Sequence, residues 1–198
     1  ATTELESINI MLAAIGEAPV NSLTGTLPVD VKLAQSTLTE VNKEVQSEGW
    51  SFNTEIDVTL TRDGSNHVSL GTDVIRVDPN THDHTDIDAI QRGLKLYDRL
   101  NNKYEFTKDL ICTVVYFRTF EEIPEPARRY ITIKAARIFV DRLVSDDGLR
   151  TYTQQDEIRA RAILMETDLS NADHNLLRGD PSLTSVFDTY NPSRALIR

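Results

Sequence analysis

Helix-like and strand-like periodicities are segregated along this chain, with the helical pattern at both ends and the alternating pattern between them. In residues 29–49, Val31, Ala34, Leu38, Val41 and Val45 recur three and four apart, a narrow seam of the kind that pairs helices in a bundle. Before it, Leu5, Ile8, Leu12 and Ile15 share one helical face, opened by a Thr3/Glu6 capping box and stopped by Gly16 and Pro19. After residue 122 the pattern returns. Ala127, Ile131, Ala135 and Ile138 form the stripe of a helix entered at Pro124-Glu125-Pro126 and ending near Gly148. Ile158, Ala162, Met165 and Leu169 form that of a last helix from about Thr153 to Asn171.

The middle is different. Ile56, Val58 and Leu60 alternate as one buried face of a strand requires, and Trp50 and Phe52 are placed to plug the end of the helical core. Short alternating stretches follow at 67–71, 73–78, 94–98 and 103–107. The strongest strand is Leu110 to Phe117, rich in β-branched and aromatic residues. The prediction is therefore an α+β fold. A discontinuous four-helix bundle is drawn from residues 1–49 and 123–176, with a β-rich domain inserted at 50–122. Residues 177–198 carry Gly179, Pro181 and Pro192 against any regular element, yet Leu183, Val186, Phe187, Tyr190, Leu196 and Ile197 are too apolar for a solvated tail. Two readings stay open for them: a strap on the chain's own domain, or an extended arm on a neighbouring chain.

Composition narrows the function. A content of 39% hydrophobic and 26% charged residues suits a soluble globular protein, with no apolar run near the roughly 18 residues that span a bilayer. The start, Ala1-Thr2-Thr3-Glu4, has no secretion-signal character. One cysteine, Cys112, lies in an apolar run and is expected to be buried filler in a reducing compartment. Net charge is −10 and uneven. Residues 1–90 hold 4 basic and 15 acidic side chains (−11), whereas residues 91–198 hold 17 and 16 (+1). Such a chain lacks the basic footprint for gripping nucleic acid, although it could sit beside DNA that must slide past.

Little chemistry is suggested. No phosphate loop, dinucleotide fingerprint or nucleophile elbow occurs. His82-Asp83-His84 with Asp86 and Asp88 could place two imidazoles on one metal, but an acidic loop has the same composition, and no metal or cofactor is assigned. Glu121, Glu122 and Glu125 could supply the carboxylate pair of a polysaccharide hydrolase, or simply load a helix entry with favourable negative charge. Arg128, Arg129, Lys134, Arg137 and Arg142 are expected to form a salt-bridged face rather than a nucleic-acid site.

A family resemblance completes the reading. Ile15-Gly16-Glu17-Ala18-Pro19-Val20-Asn21-Ser22-Leu23 carries it, as does the run from Val41-Asn42-Lys43-Glu44-Val45-Gln46 through Gly49-Trp50-Ser51-Phe52-Asn53. Tyr97-Asp98-Arg99, Pro124, Arg129-Tyr130-Ile131 and Lys134-Ala135-Ala136-Arg137 follow in order. The chain resembles tail tubular protein A, the head-to-tail adaptor family of short-tailed bacteriophages of the podovirus type, least so in residues 60–92 and the tail. The resemblance implies a non-enzymatic virion protein, assembled in the host cytoplasm. Twelve copies would ring the portal protein, receive the nozzle (tail tubular protein B) and meet tail fibres, with DNA passing through unbound and no membrane contact. It also favours the arm reading for 177–198, with Leu183, Val186, Phe187, Tyr190, Leu196 and Ile197 as anchors on the portal or a neighbouring subunit. A virion-associated polysaccharide hydrolase and a host binding module are the rival expectations.

Overall fold

The structure is a computed structural model, described here for residues 1–80, 84–143 and 154–171. Helix α1 (Glu4–Ala14) begins at the expected capping box, with Thr3 accepting from the Glu6 amide and the Glu6 carboxylate accepting from the Thr3 amide. Helix α2 (Val29–Ser47) buries all five residues of its seam, together with Thr37, Asn42 and Gln46. Helix α3 (Glu125–Leu143) buries Ala127, Ile131 and Ala135, and Ile138 is partly buried against the same core. Helix α4 (Gln154–Asn171) packs on α3. Together these helices enclose one hydrophobic core, which runs from Ile8 and Val41 to Phe139 and Leu164 and is closed at one end by Trp50 and Phe52.

A second core belongs to the strands and includes Val68, Leu96, Phe106, Leu110, Cys112 and Val114. Strand β5 (Leu110–Tyr116) is central, flanked antiparallel by β1 (Thr54–Leu60) and β2 (Val74–Pro79). Strands β3 (Ala89–Arg92) and β4 (Lys95–Asp98) form a separate hairpin. The architecture is α+β, as the segregated periodicities predict.

Three strand expectations need correction. The predicted buried face Ile56–Val58–Leu60 is interrupted, because Glu55 pairs with Val114 and Val58 with Cys112, so one extra residue enters β1. The bulge places Asp57 at φ +57° and turns Ile56 out to 58% exposure, while Val58 and Leu60 stay against the core. Residues 67–71 and 103–107 contribute single bridges (His67 to Glu105, Ser69 to Lys95, Asp98 to Lys103) rather than strands. Here the alternation reflects core packing by Val68, Leu70 and Phe106 without a continuous ladder. Conversely β3 carries only the short Ala89-Ile90 signal amid polar residues and was not expected.

Two chain crossings join the cores, out through residues 46–54 and back through 116–123, and both are stitched by buried amides. Gln46 Nε2 donates to the Arg118 carbonyl and to Asn42 Oδ1, and Gln46 Oε1 accepts from the Arg118 amide, each at 2.8 Å. Asn53 Nδ2 donates to the carbonyls of Gln46 (3.0 Å) and Tyr116 (2.9 Å), while its Oδ1 accepts from the Trp50 amide. Gly49 (φ +81°) makes the turn, and a Cβ there would meet Arg76 Nη2 at 3.0 Å. Trp50 Nε1 donates to the Val45 carbonyl at 2.8 Å, fixing the indole over the end of α2. Gln46→Ala strands the buried amide and carbonyl of Arg118, so unfolding in urea should show a loss of about 1–3 kcal/mol, whereas Gln35→Ala on the partly buried side of α2 should lose far less.

The turn after β4 hangs on Asp98, which is 1% exposed. Its Oδ1 accepts from the amides of Asp88, Leu100 and Asn101, and its Oδ2 from the Asn101 side chain at 2.6 Å. Burial pushes this carboxyl up, but the bonds from Asn101, Asp88 and Leu100 together outweigh it and hold it below the usual range. With the folded value below the unfolded one (about 3.9), the stabilisation is complete above that pH. It is lost as pH falls through the folded value. Asp98→Ala should therefore cost about 1–3 kcal/mol at neutral pH, and the gap to the parent should narrow below about pH 4 in denaturation curves taken across pH.

Candidate interaction surfaces

The groups that could carry chemistry are occupied structurally. Glu125 accepts from the amide and hydroxyl of Thr2, and Glu122 from the amide and hydroxyl of Thr119 at 2.8 Å each. Burial raises the Glu125 carboxyl but the Thr2 bonds bring it below its ordinary value, and the Thr119 bonds lower Glu122. A glycosidase general acid needs the opposite, a carboxyl held protonated at working pH. Glu121 offers its backbone carbonyl to Arg128 and leaves its side chain exposed.

His84, part of the suspected metal cluster, is buried, and its Nε2 accepts from the Ile111 amide at 2.8 Å at the start of β5. That bond commits the Nε2 lone pair to the backbone, and Asp86 and Asp88 pair with Lys108 and Arg99. His82 and Asp83 lie outside the described residues. Among those described, no three His, Cys, Asp or Glu side chains gather as metal ligands would. Cys112 is buried, and burial, with Asp78 nearby, pushes its thiol up to about 12. A thiol so far from ionisation is inert.

The basic residues of α3 are internal fasteners. Arg128 donates to the carbonyls of Ile123, Thr2 and Glu121; Lys134 pairs with Glu44; Arg142 forms a two-pronged pair with Glu40 and reaches Thr37. Arg137 joins Glu157 at 2.6 Å and Asp141 at 3.2 Å. The Lys134 and Arg142 pairs tie α3 to α2, and the Arg137–Glu157 pair ties it to α4. These three residues form the salt-bridged part of the face expected from sequence, while Arg128 holds backbone carbonyls.

Helix α4 overturns an expectation. Its predicted stripe, Ile158, Ala162, Met165 and Leu169, faces solvent: Ile158 and Leu169 are each 61% exposed and Met165 47%. The inward side is Glu157, Ala160, Arg161, Leu164 and Asp168, of which Ala160 and Leu164 are buried. Arg161 grips Glu48 with both terminal nitrogens (2.9 and 2.6 Å), donates to the Tyr130 hydroxyl, and lies over the Trp50 and Tyr130 rings. Asp168 accepts from the amide and hydroxyl of Ser51. Both sides of α4 repeat at helical spacing, so periodicity could not choose between them. The polar partners that decide it sit more than 100 residues away in Glu48 and Ser51.

A second surface patch lies on the β unit. Arg92 stacks on Tyr97 at 3.6 Å, Tyr97 meets Tyr104 edge-on at 4.9 Å, and His67 adjoins Tyr104, with Leu94 exposed at the hairpin tip. The sequence-predicted anchors Leu183, Val186, Phe187, Tyr190, Leu196 and Ile197 lie outside the described residues.

The outward apolar helix, the aromatic patch and the absence of an arranged reaction centre among the described residues suit a part that binds other chains. A family model for the tail tubular protein matches residues 5–174, from α1 past the end of α4. The chain belongs to the tail tubular protein family. It is thereby a structural protein of a phage tail, and the match includes both cores and the amide stitch between them. A search of curated proteins returned no match. No described helix is long and apolar enough to cross a membrane.

In this tail tubular protein, α4 is held by the buried Ala160 and Leu164 and by ion pairs at their margin, so part of its attachment should be salt-sensitive. Arg161→Ala should raise amide exchange across residues 154–171 while leaving β5 protected. A double-mutant cycle with Glu48→Ala should give a coupling of about 1 kcal/mol that shrinks in high salt.

Proposed function

We propose that this tail protein is one subunit of an adaptor ring, twelve copies seated beneath the portal protein and holding the tail nozzle, tail tubular protein B, on the other side. The family match carries this reading. DNA passes through the centre during ejection without specific binding, and the net charge of −10 supports such a passage by denying the phosphates a basic footprint. The helical unit (residues 1–49 with 123–176) and the β unit (50–122) act as separate contact modules, the second offering its aromatic patch to nozzle or tail fibres. Residues 177–198 act as an arm, with Leu183, Val186, Phe187, Tyr190, Leu196 and Ile197 as its anchors.

Assembly is the mechanism. Subunits made in the host cytoplasm stay apart until the portal presents a ring of sites, and many modest contacts repeated around a closed ring then give a stable whole. Negative-stain microscopy of the purified chain mixed with isolated portal should show an added twelve-fold layer. Removal of 177–198 should leave a folded subunit that no longer joins the portal. Portal particles that stay bare with the full chain would refute the adaptor reading.

A further inference from the structure

Helix α4 seats Ala160 and Leu164 in the bundle core, and the rest of its inward side is charged. Its three charged inward residues, Glu157, Arg161 and Asp168, meet Arg137, Glu48 and Ser51. Its outward residues Ile158, Ala162, Met165 and Leu169 step four, three and four apart, the repeat of a helix-pairing seam, and Ile163 at its margin is 51% exposed. Single exposed apolar residues need no explanation, but a continuous stripe over three turns marks a contact site. No described element covers it.

The chain itself supplies an occupant. Beyond Asn171 it continues to residue 198, and Leu183, Val186, Phe187 and Tyr190 there fall at i, i+3, i+4 and i+7. Gly179, Pro181 and Pro192, which argue against a regular element across 177–198 as a whole, lie outside this stretch, and its spacing is that with which an amphipathic segment enters an apolar seam. Residues 172–198 are neutral overall (Asp173, Asp180 and Asp188 against Arg178, Arg194 and Arg198), so they approach the acidic subunit without repulsion. We infer that the α4 seam is the seat for residues 183–190 of the adjacent copy. This rests on the ring reading above and specifies how the ring closes. Residues 172–182 can span on the order of 36 Å when extended, several times the 8–10 Å between packed helices, so the segment can leave its own subunit. One seat and one arm per copy, joined head to tail, leave neither unfilled once the ring closes.

The test is disulfide trapping on isolated portal particles with a chain carrying Met165→Cys and Phe187→Cys. The native Cys112 is buried and should not interfere. Mild oxidation should give a ladder of covalent multimers on a non-reducing gel, absent from each single variant. A disulfide confined to monomers would mean that the arm covers its own helix, and a normal ring without cross-links would mean that another partner fills the seam; either result overturns the proposal. The companion variant, Met165→Asp with Leu169→Asp, changes only outward side chains and should melt within about a degree of the parent. Its retention on the portal should fall about tenfold or more, and unchanged retention would equally overturn the seat. Should the parent chain itself not join portals, the ring reading fails first and the seat falls with it.

Discussion

The two cores share no strand or helix, so their relation depends on how firmly the connecting backbone is held. That task falls to Gln46 and Asn53, two primary amides that replace water at the junction with donors and acceptors of fixed position. Burying such groups is costly unless they are fully paired, and here every bond is near 2.8–3.0 Å. Asn53 also accepts from the Trp50 amide, beside the Val45 carbonyl that holds the indole, and Arg161 of α4 lies over that ring. One polar cluster thus adjoins the β unit, the end of the bundle core and the outermost helix together.

The helical unit combines two kinds of adhesion. Toward its centre, α1, α2 and α3 meet through apolar side chains that are almost wholly buried, which is where most of the stabilisation arises. Toward its outside, α3 is linked to α2 and α4 by pairs such as Lys134–Glu44, Arg142–Glu40 and Arg137–Glu157. Those pairs contribute little each, but Arg137–Glu157, together with Arg161–Glu48, helps choose which side of α4 faces in. The inward contact buries Ala160 and Leu164 between these charges, which leaves the outward stripe available.

What could be read in advance follows from the range of the interactions involved. The seam of α2, the capping box of α1 and the strand at Leu110 are local patterns, and each stands where its spacing puts it. Ile56 was misjudged because a bulge is decided by register against Val114 and Cys112, which the β1 segment does not contain. Helix α4 was placed correctly but faced the wrong way, since Ser51 and Glu48 determine its orientation from across the molecule. Gln46 and Asn53 stand within the runs that carry the family resemblance, but their partners at Arg118 and Tyr116 lie 72 and 63 residues away, so no local pattern announces the stitch. Family resemblance, by contrast, rests on the order of many such runs, and it pointed to the tail before any contact was known.

The bulge at Asp57 also bears on crowding. Strand β1 is an edge, paired with β5 on one side alone, and β2 ends the other edge at Pro79. A straight open edge invites a second sheet to add itself by backbone hydrogen bonds. Holding Asp57 at positive φ costs on the order of 1–2 kcal/mol, yet it bends that edge midway, and Pro79, without an N–H, removes one donor from the end of the other. In the crowded setting of a phage tail, other chains can then be met through side chains while the sheet stays closed to them, so that close contact does not slide into fibre formation.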